Sequence, residues 1–176
     1  PRRPNPIAVS TYSYWRYRQG ERMPIDQCID LAGEMGFDAV EVLEVQMSDE
    51  HRKSNAYLQT LKRKAVTAGL DLCGMSTHQG FVSPDKARRQ ANIDRTIASI
   101  ELAYNLGIPT IRVNTGTWGT SKDFNELMKN RGVEPPLDGY TEDDAFPRVI
   151  DAFEKIVPAA EKRGVLMGQG AGVGLG

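Results

Sequence analysis

The chain repeatedly closes an apolar-periodic segment on a glycine and starts a short β-rich run at once. The four junctions are Gly36-Phe37-Asp38-Ala39-Val40-Glu41-Val42-Leu43, Gly69-Leu70-Asp71-Leu72-Cys73, Gly107-Ile108-Pro109-Thr110-Ile111-Arg112-Val113 and Gly164-Val165-Leu166-Met167. Glycine suits the left-handed residue just past a helix C-terminus because it has no Cβ to clash. Each following run is apolar almost throughout or broken by one polar residue, as in strands covered on both faces. Repeated helix–glycine–strand junctions predict a β/α architecture with a parallel sheet and right-handed crossovers.

The segments between junctions read in the same way. Ile7–Ser13 is the first predicted strand, and the aromatic and basic stretch Tyr12 to Arg18 follows it as either a ligand-stacking loop or a lid. Helix one has Pro24 near its start and Ile25, Cys28, Ile29, Ala32 and Met35 on one face. Ser54 is the expected cap of the next helix, which repeats Leu58, Leu61, Ala65 and Ala68. Ser83-Pro84-Asp85 reads as a cap, a proline at the first helical position and an acid in the first turn. Helix three then carries Ile93, Ile97, Ile100 and Tyr104, and the fourth helix Phe146, Val149, Ile150, Phe153, Val157 and Ala160, with Pro158 expected to kink it.

Predicted strand starts lie about 30 to 38 residues apart until strand four, after which the next is about 57 residues further on. The excess is an insertion, residues 115–144, with a short helix capped by Ser121 and a turn at Pro135-Pro136-Leu137-Asp138-Gly139. The Gly-rich tail 168–176 lacks the G-x-G-x-x-G spacing of a phosphate loop and reads as disordered or artificial.

A doubly wound sheet and a (β/α)₈ TIM barrel both fit this alternation locally. The doubly wound form predicts a glycine-rich turn after strand one, where the chain has Ser10-Thr11-Tyr12-Ser13-Tyr14. Polar residues collect instead at successive strand ends (Tyr12, Glu44, His78, Asn114), as they do around a barrel mouth. A complete barrel takes about 250 residues. The 176 residues here make a single domain with about four β/α units plus strand five, an incomplete barrel.

Charge narrows the partners. With 22 basic and 23 acidic residues the net charge is −1, without a long basic block, which argues against nucleic acid or an anionic membrane. No apolar run approaches the ~18 residues of a membrane span. Arg2-Arg3 at the start admits a twin-arginine export signal, but no apolar region follows it, and a cytoplasmic location is expected. Cys28 and Cys73 read as buried reduced thiols, and the two histidines, His51 and His78, exclude a His-rich metal cluster. His51, in a polar run, is expected to be solvated, while Glu41 faces either a structural ion pair with Arg112 or a substrate.

On Gly36-Phe37-Asp38-Ala39-Val40-Glu41-Val42, Ser76-Thr77-His78-Gln79-Gly80 and Ala160-Glu161-Lys162-Arg163-Gly164-Val165, the chain resembles the sugar phosphate isomerase/epimerase family of xylose-isomerase-like TIM barrels. The resemblance runs from Pro6 to about Gly168. It implies a sugar or sugar phosphate substrate and a divalent metal (Mn²⁺, Mg²⁺ or Zn²⁺) held by carboxylates and a histidine from strands five to eight. It also implies two glutamates that move a proton beside the sugar carbonyl. His78 is then the catalytic candidate here, with Tyr12, Glu44, Asn114 and Trp118 as substrate-binding candidates; Trp118 is equally an anchor for its loop. The family's strand-five glutamate falls on Gly170, so the chain alone is expected to hold no metal and to be inactive in the family reaction.

Two other readings stand beside this one. A non-catalytic half-barrel would pair through its open sheet edges into an oligomer or aggregate. The related apurinic-site endonuclease would require several metal-binding histidines and a basic DNA face, and the sequence has neither.

Overall fold

A computed structural model describes residues 5–18 and 20–169. Five parallel strands form one sheet in the order β1 (Ala8–Ser10), β2 (Ala39–Leu43), β3 (Asp71–Ser76), β4 (Thr110–Val113), β5 (Leu166–Gln169). Strand order equals chain order, so the sheet has no point at which the winding reverses. That is the topology of a barrel rather than of a doubly wound sheet. The sheet remains open between β1 and β5.

The helices follow the same sequence. The major ones, α1 (Ile25–Glu34), α3 (Asn55–Thr67), α4 (Lys86–Leu106) and α6 (Ala145–Arg163), pack in consecutive pairs as one layer. Two short helices, α2 (Asp49–Lys53) and α5 (Phe124–Lys129), sit in connections. Between sheet and helices lies one apolar core that includes Ile29, Val40, Val42, Leu61, Met75, Ile100, Ile111, Val113 and Ile156. Full burial of a side chain such as Ile29 contributes about 1.5–3 kcal/mol. Val40 and Val42 of β2 and Ile111 and Val113 of β4 face these helices. Glu41 and Arg112, between them in the alternation, therefore fall on the opposite, concave face.

All four junction glycines have positive φ, from 65° at Gly164 to 78° at Gly36, as the left-handed helix stop requires. Several boundaries differ from the sequence reading. The first strand ends at Ser10, and Thr11–Tyr14 coil into a 3-10 turn whose Tyr12 N–H bonds the Ser10 hydroxyl at 3.3 Å. Ser54 does cap α3, but α4 is capped by Asp85, not Ser83. Asp85 Oδ1 accepts from the N–H groups of Ala87 at 2.8 Å and Arg88 at 3.2 Å. α5 is likewise capped by Asp123 rather than Ser121. Each time an ionised side chain nearer the first free N–H groups takes the cap. α6 runs continuously through Pro158. Gly168 and Gln169 belong to β5; Arg2, Arg3 and residues 170–176 lie outside the described residues. Among the described residues no helix is long and apolar enough to cross a membrane.

Candidate functional site

The C-terminal ends of β1, β3 and β4 carry the polar groups that face the open side of the sheet. At β1, the Thr11 hydroxyl accepts from the Leu43 N–H at 2.9 Å and ties the strand end to β2. This places Tyr12, whose ring stacks on Tyr17 at 4.7 Å and meets Trp15 obliquely at 5.2 Å. Trp15 is 66% exposed, so one aromatic face of this cluster remains free. The hydrogen bond shared with Tyr17, and then burial, hold the Tyr12 phenol above its ordinary pKa.

At β3 and β4 a closed polar network fixes the next group. The carbonyl of Arg112 accepts from the Thr77 N–H at 3.1 Å and from the Thr77 hydroxyl at 2.9 Å. Asn114 donates from Nδ2 to the Thr77 carbonyl at 3.1 Å and accepts from Arg112 Nη1 at 2.9 Å. His78 follows Thr77 at the rim and is exposed. Partial burial of its ring, then the Arg112 guanidinium, push its pKa below the ordinary value, against an opposing pull from Glu44. The imidazole is thus biased to the neutral form, able to donate from one nitrogen and accept at the other.

Glu44 occupies a different environment from the other strand-end residues. It sits in a 3-10 turn, Glu44–Gln46, just beyond β2 and is 1% exposed. Its Oε1 accepts from Arg52 Nη1 at 2.6 Å, Arg95 Nε at 3.1 Å and Ser99 Oγ at 2.9 Å, and its Oε2 from Gln79 Nε2 at 3.3 Å. The carboxylate therefore ties α2, α4 and the loop after β3 together beneath His78.

Trp118 is also turned inward, at 5% exposure, in a small cluster with Val82 and Ala145. The Arg148 guanidinium lies 5.6 Å from its ring centroid and 4.7 Å from that of Tyr140. These contacts, with a 3.4 Å hydrogen bond from Trp118 Nε1 to Glu142, fasten the connection between β4 and α6 to the barrel wall. Asn114 thus bonds Arg112, whose charge also reaches His78 and Tyr12, whereas Glu44 and Trp118 are buried. His51, away from this face, stacks on Tyr57 at 4.0 Å.

Arg112 is the group the sequence reading treated only as an ion-pair partner. It shares a depression of about 220 Å³ with Glu41, Gly74, Thr110 and Gly168 on the concave face. Its hydrogen bond goes to Asn114, and among the described residues it forms no ion pair with Glu41. The signal for its position was the Ile111-Arg112-Val113 alternation, the same pattern that exposes Glu41 to this face.

The residues from 29 to 168 match the model of the xylose isomerase-like TIM barrel. The chain belongs to that family. Similar solved structures include a D-psicose 3-epimerase crystallised with D-fructose, 20% identical with a TM-score of 0.66 over 93% of this chain and 51% of that one. An L-ribulose 3-epimerase is 19% identical, with a TM-score of 0.64 over 93% and 48%. A 3-keto-D-glucoside 4-epimerase from E. coli is 15% identical, with a TM-score of 0.60 over 93% and 54%. The chain thus shares its fold with sugar epimerases and spans about half the length of each. For a xylose isomerase-like barrel a bound divalent metal is implied. Among the described residues no three His, Cys, Asp or Glu side chains converge to hold one. The β1–β5 residues therefore do not fit that ion by themselves, and the chemistry below uses only groups that are present.

Proposed function

We propose that this chain forms the substrate-facing wall of a sugar, or sugar phosphate, isomerase/epimerase site. The observation that carries it is that Tyr12, His78 and Asn114 follow the C-terminal ends of β1, β3 and β4, with Arg112 bonded to Asn114 and in electrostatic reach of the other two. A sugar offers hydroxyl groups on its edge and a weakly apolar face. Tyr12 and Trp15 supply an aromatic surface for the latter, and Asn114, Arg112 and a neutral His78 supply hydrogen bonds for the former. In proton transfer beside a carbonyl, charge develops on the carbonyl oxygen. His78, donating from its ring N–H, and the Arg112 guanidinium are placed to stabilise that charge. Glu44 and Trp118 contribute by holding the rim and the β4–α6 connection in place. Among the described residues Glu44 is consumed by its ion pairs, which leaves Glu41 as the carboxylate on this face. By itself the chain is proposed to bind sugar without turning it over.

The test is a panel of ketoses and their phosphates, assayed for turnover with added Mn²⁺ and for binding through the NMR signals of the His78 ring. Binding without turnover is expected, and His78→Ala should weaken the binding measured by calorimetry. Turnover by the 176-residue chain would overturn the division of labour, and no perturbation by any sugar would overturn the site.

A second reading, a half-barrel that associates with another copy, is favoured by the outer face of α6. Phe146, Ile150 and Val157 are exposed there, beside a groove of about 920 Å³. Leu166, on edge strand β5, is 69% exposed as well. Unpaired edges next to apolar surface favour pairing between chains. A monodisperse monomer in sedimentation at tens of micromolar would remove this reading.

A further inference from the structure

We propose that Arg112 receives an anionic substituent, phosphate or carboxylate, on the sugar that this face binds. The proposal rests on the sugar-site reading above and narrows its substrate class. Arg112 stands on the concave face between Ile111 and Val113, which are buried in the core on the other side of β4. The buried Glu44 carboxylate takes up two arginines, Arg52 and Arg95. Arg112 instead gives one N–H to the neutral Asn114 amide and, among the described residues, meets no carboxylate.

The guanidinium is also held ready. Two hydrogen bonds from Thr77 pin its backbone carbonyl, and Thr77 orients Asn114 so that Oδ1 faces the fork. An anion arriving there has little side-chain freedom left to freeze. Among the described residues four of the five guanidinium N–H donors have no hydrogen-bond partner, and their planar spread matches two oxygens of a carboxylate or phosphate. Gly74 and Gly168 line the adjoining depression with no side chain to fill it. Burial first, and then the Arg112 guanidinium, hold the His78 pKa down against the pull of Glu44, so Arg112 lies within electrostatic reach of the ring. Glu41, the other charged group of the depression, is the competing partner.

The experiment uses the full chain and its two histidines, with His51 as the internal reference. His78 ring signals are followed during titration with D-fructose, D-fructose 6-phosphate, D-gluconate and inorganic phosphate. We expect one of the two charged sugars to bind about tenfold or more tighter than D-fructose, the range for a charge-assisted hydrogen bond. It should raise the His78 pKa and leave His51 unmoved. Whether fructose 6-phosphate or gluconate is preferred identifies the anion, and inorganic phosphate reports whether the sugar is needed. Arg112→Gln should abolish the preference, weakening the charged sugar far more than D-fructose, and Arg112→Lys should retain part of it. Equal binding of charged and neutral sugars overturns the proposal while the sugar site stands. A preference that survives Arg112→Gln overturns it too. Should Arg112→Gln fail to fold, Glu41→Gln decides: anion binding that appears only in that variant makes Arg112 the partner of Glu41. If no sugar, charged or neutral, moves His78, the site reading falls as well.

Discussion

Gly80 and Gly116 meet backbone to backbone where the loop after β3 crosses the loop after β4. A Cβ added to Gly80 would lie 2.4 Å from the Gly116 Cα, and one added to Gly116 would lie 2.6 Å from the Gly80 Cα. The crossing is closed by Phe81 N–H donating to the Thr115 carbonyl at 2.7 Å, and by Asn92 Nδ2 donating to the Gly80 carbonyl at 2.6 Å. Backbone cannot swing aside as a flexible side chain can, so neither position tolerates alanine without displacing one of the two loops.

Gly80→Ala and Gly116→Ala should each destabilise the chain by about 1–3 kcal/mol or more, the range for forced overpacking. Gly119→Ala is the control: its φ is 75° but nothing lies within 4 Å of the added Cβ. Only the left-handed penalty of roughly 1 kcal/mol applies there. Urea denaturation of the three variants should rank Gly119→Ala as the mildest, and the reverse order would mean the loops separate freely.

Removing Glu44 should cost more than removing any one of its partners. Glu44→Ala strands the largely buried Arg52 without its carboxylate, a change worth about 3–5 kcal/mol. Arg95→Ala deletes an ion pair with a more exposed partner and should cost about 1 kcal/mol or less. Paired thermal and urea unfolding of the two variants checks the ranking.

His78 makes a pH-dependent contribution whose sign follows from its lowered pKa. The unfolded chain binds this proton more readily than the folded one, so stability rises with pH across the window between the folded value and about 6.5. The contribution is complete above that window and is lost as pH falls through the folded value. His78→Gln should flatten the slope of unfolding free energy against pH just below 6.5, and an unchanged slope would assign it to other groups.

The cap of α4 supplies a further ranking. Asp85→Ala removes the acceptor for the Ala87 and Arg88 N–H groups and should cost about 1 kcal/mol. Ser83→Ala loses only the 3.3 Å bond from the Asp85 N–H and should lie within about 0.5 kcal/mol of the parent. A Tm series of the two variants suffices to compare them.

Local signals in the sequence were enough for the parallel β/α order, the helix faces and the glycine stops. Each rests on interactions spanning a few residues: Ser54 caps its own helix, and Gly36 stops its own. The positions of Tyr12, His78 and Asn114 near strand ends were legible for the same reason, since a strand's direction sets which end opens onto the site. What Glu44 does was decided only in three dimensions. Its partners Arg95 and Ser99 stand 51 and 55 residues away, and a 3-10 turn beyond β2 aims it at them. Trp118 lies under Arg148, which also covers Tyr140 across the insertion, and Arg112 is held by a network through Thr77, 35 residues before it. A strand-end pattern specifies where a polar residue begins. Which partner reaches it first, and so whether its charge is spent on the scaffold or left for a ligand, depends on contacts that exist only once the layers have packed.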